Sequence, residues 1–97
     1  MNMNMIMQQA KKMQKNMEKA KDEVSKMTFT ASQPLVEVTI NGDKKVTNIK
    51  LNKDITSDDI EVLEDMILIA TNEALDKASK AMKDKMGNVG SGLEGLF

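Results

Sequence analysis

The side chains able to do chemistry are few in kind. The 97-residue chain carries fourteen lysines and fifteen carboxylates, with no arginine, histidine or cysteine. Without histidine the commonest general base is missing, and neither a histidine triad nor a histidine-ligated zinc site can form. Without cysteine there are no disulfides, thiolate metal sites or cysteine nucleophiles. What remains is charge, and its most ordered display is KKMQKNMEK at positions 11–19. On a helix, Lys12, Lys15 and Lys19 follow steps of three and four and share a face, and Lys11 lines up with Lys15. Ammonium groups along a rigid rod neutralise phosphates and release counterions, which gives affinity for a polyanion with little sequence preference. The same row also reads as the solvated face of an ordinary amphipathic helix.

Four other constellations are weaker. Lys77, Lys80, Lys83 and Lys85 form a second basic row. They suit the carboxy-terminal end of a helix dipole and have Asp76 and Asp84 as intrahelical partners. Asp54, Asp58, Asp59, Glu61, Glu64 and Asp65 form an acidic cluster without the spacing or glycine of a calcium loop; helix capping explains its first half, and no metal site is expected. Its negative potential should face away from nucleic acid. MNMNMIM offers thioethers that suit copper(I), but core packing and a frayed start account for them as well. Asn41-Gly42-Asp43 is a turn, and no helix opens behind the glycine to cradle a phosphate. No cofactor, small-molecule substrate or catalytic activity is expected.

The elements that carry these residues follow from periodicity. Met3, Ile6, Ala10, Met13, Met17, Ala20, Val24 and Met27 alternate in steps of three and four, a heptad seam free of proline and glycine. A helix over Met3–Val24 is about 33 Å long. The period then becomes two: Met27, Phe29 and Ala31 read as one strand, broken at Ser32-Gln33-Pro34. Val36, Val38 and Ile40 read as a second strand. Asn41-Gly42, both tolerant of positive φ, reads as a hairpin turn, and residues 45–51 as a third strand with Ile49 and Leu51 on one side. Thr56 is an N-cap with Asp59 completing a capping box. Ile60, Leu63, Ile67, Ala70, Ala74, Ala78 and Ala81 line a second helix from Ser57 to Met86, about 45 Å long. Val62, Met66 and Ile69 widen that stripe, so its first half is expected to be buried on two sides. Gly87 is expected as the stop.

The expected fold is therefore α+β, α-β-β-β-α, with a three-stranded antiparallel sheet between two long helices. Residues 1–86 form a single domain and 87–97 a flexible glycine-rich tail. Met13, Met17, Val36, Val38, Ile40, Leu63 and Ile67 are the expected core and dimer residues. The helices outrun the sheet, and a chain this small gains from association, so a homodimer is expected. Residues 1–30 carry six lysines against three acids, whereas 53–86 carry five against nine, so the net charge of −1 hides a basic first half. No stretch is apolar enough to cross a bilayer. The apolar start is interrupted by Asn2, Asn4 and Gln8, so no signal peptide is expected, and the expected location is the cytoplasm.

The order of motifs resembles the YbaB/EbfC family of small nucleoid-associated proteins. QQAKKMQKNMEK is similar to the family's first helix, LVEVTINGDKKV to its central hairpin and VLEDMILIATNEA to the start of its second helix, followed by a glycine-rich tail. The resemblance implies a tweezer-shaped homodimer that binds double-stranded DNA in the bacterial nucleoid. Lys11, Lys12, Lys15 and Lys19, and secondarily Lys77, Lys80 and Lys83, are then the candidate DNA contacts. The rival reading is a protein-interaction or adaptor module that uses the methionine-rich helix as a docking surface.

Overall fold

The computed structural model describes residues 2–94, and side chains for residues 2–87. Helix α1 spans Met3–Ser25. Asn2 caps it, its side-chain oxygen accepting from the Asn4 N–H at 3.1 Å. At the other end the N–H groups of Lys26 and Met27 donate to the carbonyls of Asp22 and Val24, and the Ser25 hydroxyl donates to Asp22 O at 2.8 Å. These bonds satisfy carbonyls that the last helical turn would otherwise leave open.

Strands β1 (Thr28–Gln33), β2 (Val36–Asn41) and β3 (Val46–Leu51) form an antiparallel sheet in the order β1-β2-β3. Pairing of Ala31 with Val38, and of Val38 with Ile49, sets the register. Side chains alternate across a strand, so Phe29 and Ala31, then Val36, Val38 and Ile40, then Ile49 and Leu51 all share one face. Ser32 and Gln33 belong to β1 rather than to the break, which falls at Pro34-Leu35.

The β2–β3 connection departs from the sequence expectation. Neither Asn41 nor Gly42 has a positive φ; Lys44 does, at 63°. The Lys44 N–H donates to Asn41 O at 3.0 Å, and the Asn41 side chain accepts from the N–H groups of Asp43 and Lys45. This is a three-residue loop, a turn closed by one left-handed residue, instead of a two-residue turn. The register then slips between Thr39 and Ile40, a bulge beside the loop.

Asp59 accepts hydrogen bonds from both the Thr56 N–H (2.9 Å) and the Thr56 hydroxyl (3.2 Å). A 3₁₀ turn over Ser57–Asp59 leads into α2, Ile60–Glu94. The helix passes through Gly87 instead of stopping at Met86. A glycine weakens a helix by about 1 kcal/mol relative to alanine but keeps its N–H, so it does not force an end. Residues 95–97, with Phe97, lie outside the described residues.

Helix α2 lies on β1 and β2. Ala70, Ala74 and Ala78, one per turn, are fully buried, and their small side chains let the helix axis approach the sheet. Val36, Val38 and Ile40 fill the space beneath, with Ala31 and Leu63. Each fully buried Val or Ile contributes roughly 1.5–3 kcal/mol. Met66, Ile67 and Leu75 pack at the margin of this core. Val62 and Ile69 are exposed, so the first half of α2 is not buried on two sides within one chain.

Strand β3 is left uncovered. Val46, Ile49 and Leu51 are 46–47% exposed although Ile49 and Leu51 stand on the core face. Lys77 reaches β1, so its side of α2 faces the β1 edge. By helical geometry Ile60, Leu68 and Leu75 lie on the other side, toward β3. Ile60 and Leu68 are exposed too. This apolar flank of α2 is thus turned toward the side of the uncovered strand.

Helix α1 packs on α2. Ala20 and Val24 are buried, Met13 and Met17 are half-buried, and Met3, Ile6 and Ala10 are exposed, so the seam is covered only toward its carboxy-terminal end. The molecule measures 70 × 19 × 13 Å.

Candidate nucleic-acid interface

The packed seam of α1 dictates where its lysines go. Met13, Met17, Ala20 and Val24 turn toward α2, and steps of three and four put Lys11, Lys12, Lys15 and Lys19 on the far side. All four are exposed. Among the described residues none of their side chains makes a hydrogen bond or an ion pair. Lys11, Gln14, Lys15 and Glu18 line one shallow groove on the helix surface. Glu18 is the acid nearest this row in sequence, and it pairs with no lysine within 4.0 Å. From Lys11 to Lys19 the row covers about 12 Å of helix.

The second basic row divides. Lys80 and Lys83 are exposed, and the described residues offer them no partner. Lys77 Nζ donates to the backbone oxygen of Thr30 at 2.7 Å. Lys85 Nζ pairs with Glu23 Oε2 at 3.1 Å, which ties the last turns of α1 to α2. The partners expected along the helix, Asp76 and Asp84, take part in no ion pair among the described residues.

Sequence reasoning missed one basic neighbour. Gly42 packs against the end of α1, and its N–H donates to Met27 O at 3.1 Å. The hairpin tip, with exposed Lys44 and Lys45, therefore sits against the helix turn that ends at exposed Lys26. Nothing local in the sequence signals this, because the contact joins segments about 17 residues apart.

Among the described residues no three acidic side chains converge on a possible metal site, and no helix is long and apolar enough to cross a membrane. On the helix, Met3 and Met7 are one turn apart and share a side, while Met5 points elsewhere. A row of exposed ammonium groups on a long helix, joined to a small sheet, makes this a small α+β protein with a basic arm.

Comparison with known proteins agrees with that class. The profile of the YbaB/EbfC DNA-binding family matches residues 1–93. A nucleoid-associated protein of Ligilactobacillus salivarius is 37% identical over 99 residues, covering 99% of this chain and 95% of that protein. One from Agathobacter rectalis is 43% identical, covering 95% and 88%. One from Streptococcus pneumoniae is 41% identical, covering 90% and 91%. The chain belongs to the YbaB/EbfC DNA-binding family.

Proposed function

We propose that this protein is a non-enzymatic nucleoid-associated protein that binds double-stranded DNA as a homodimer. It does so mainly through phosphate contacts and with low sequence specificity. The observation that carries this reading is the row Lys11, Lys12, Lys15 and Lys19, exposed and without partners among the described residues on a projecting helix. Lysine acts as a point charge, and the chain has no arginine to fork onto a base edge, which suits backbone contact better than base reading. Only two aromatics occur, neither beside the row, so stacking on unpaired bases is not favoured. Lys80 and Lys83 add secondary contacts. Lys77 contributes least, because its ammonium is held by Thr30. Activity in the nucleoid places the protein in the cytoplasm.

The homodimer is supported by the bare face of β3 and the flank of α2 turned toward its side. Val46, Ile49, Leu51, Ile60 and Leu68 form an apolar surface that a second copy can cover with the same residues, as a two-fold interface requires. Pairing the copies also doubles the lysine row. Four lysines per copy correspond to about eight phosphates and a log–log salt slope of about −7.

The test is the charge reversal K11E/K12E/K15E/K19E, assayed by gel shift with unrelated duplexes over a range of salt. It should abolish binding while sedimentation still reports a dimer. Intact affinity would remove the lysine row from the interface. The exposed Met3, Met5, Ile6 and Met7 favour a second reading, docking of a protein partner on α1. Failure of the wild-type protein to shift any duplex even at low salt would favour that reading instead.

A further inference from the structure

The backbone of Gly42 lies so close to the end of α1 that no side chain fits between them. A Cβ on Gly42 would overlap the carbonyl carbon and oxygen of Val24 and stand 2.8 Å from the Cα of Ser25. All three are backbone atoms, so no rotamer change relieves the overlap. The φ of Gly42 is not positive, so the turn itself does not require glycine; the close approach does. The hydrogen bond from Gly42 N–H to Met27 O fastens the same junction.

We propose that Gly42 is a positioning residue for DNA binding: the bare hairpin tip is the bearing that sets the angle at which α1 leaves the sheet. This rests on the reading that the lysines of α1 contact DNA. Elsewhere the arm is held to the body by the packing of Ala20 and Val24 on α2 and by the ion pair Glu23–Lys85, whose side chains are nearly half exposed. An exposed pair of long side chains yields easily and is worth little, whereas backbone in contact with backbone does not yield. Carbon atoms rest about 3.5–4.0 Å apart, so a Cβ at position 42 drives the end of α1 off by about 1 Å or more. Lys11 lies about 20 Å along the helix from Val24. A tilt about the junction with β1 therefore moves the lysine row several times further than the helix end. Each lysine keeps its charge and loses its register on the phosphates.

The chain has no cysteine, so probes can be placed at Gln8→Cys on α1 and Asn48→Cys on β3, with labelled chains diluted in excess unlabelled protein so that a labelled dimer carries one pair. In Gly42→Ala the distance between these probes should change by several ångströms, with dimer mass and helix content kept. At about 0.1 M salt each lost phosphate contact lowers affinity roughly eightfold and flattens the log–log salt slope by about 0.9. Gly42→Ala should show at least one such step although every lysine is present; a merely looser fold would not flatten the slope. An unchanged probe distance overturns the proposal. So does a changed distance with unchanged affinity and slope. If Gly42→Ala does not fold, hydrogen exchange on the wild-type protein decides. The Gly42 amide should open together with those of Lys26 and Met27, and much faster exchange at Gly42 overturns the proposal. Failure of the DNA reading is recognised separately, by full affinity in the four-lysine reversal, whereas an unmoved probe distance defeats only the bearing.

Discussion

Lys77, on α2, stands with its Nζ 2.7 Å from the backbone oxygen of Thr30 on the outer edge of β1, 47 positions earlier in the chain. A sheet edge exposes unpaired backbone groups that invite pairing with another chain, and a lysine set across the edge discourages it. The ammonium that sequence offers as a DNA contact is thereby partly committed to the fold. It also orients α2: one flank is turned to β1, and the other toward the side of β3.

Replacing Lys77 by alanine should therefore affect stability more than DNA binding. A hydrogen bond from a charged group is worth about 1.5–3 kcal/mol, and exposure to solvent reduces that here to about 1 kcal/mol. Urea unfolding should register this loss. In a gel shift Lys77→Ala should lose less affinity than replacement of Lys15, whose ammonium has no partner among the described residues. Equal losses would mean that Lys77 leaves Thr30 to meet phosphate.

Ile49 tests the proposed dimer surface. It stands on the core face of β3 yet remains 46% exposed. Ile49→Glu leaves the single chain little disturbed, but it buries an unpaired carboxylate once a second copy covers the face. The expected penalty of about 3 kcal/mol or more is a weakening of about 100-fold or more. Sedimentation at micromolar concentration should then find single chains. A dimer of unchanged affinity would move the interface elsewhere.

Lys44 occupies the left-handed region with φ 63°. A side chain there is disfavoured by about 1–2 kcal/mol. Glycine removes that strain but adds freedom to the unfolded chain, which costs about 0.5–1 kcal/mol. Lys44→Gly should thus stabilise the protein by up to about 1 kcal/mol, read as a higher urea midpoint at unchanged slope. A lower midpoint would show that the Lys44 side chain contributes more than its backbone loses.

Gly87 lies within α2, and a Cβ there would meet open space. Gly87→Ala should strengthen the helix by about 0.8–1.0 kcal/mol. Hydrogen exchange over 88–94 should slow, while Ile60–Lys85 stays as before. In the unmodified protein we expect 88–94 to exchange faster than Ile60–Lys85, since the tail is rich in glycine. Equal protection across both stretches would contradict a flexible tail.

Chain periodicity by itself determined the element order and the strand faces. The steps of three and four from Met3 to Val24, and the alternation of Val36, Val38 and Ile40, are local geometry, because a helix or strand repeats its side-chain direction at a fixed interval. Thr56 with Asp59 was legible for the same reason, as a contact three residues apart. The exposure of Lys11, Lys12, Lys15 and Lys19 followed from the seam they oppose. The end of α2 was misread at Gly87, because glycine weakens a helix without breaking it. Only the tertiary structure decided that Lys77 caps an edge, that Lys85 pairs with Glu23, and that β3 stays bare. It also decided that Gly42 serves a close approach rather than a turn. Each of these joins residues far apart in sequence, and no local repeat encodes which distant segment comes to lie alongside.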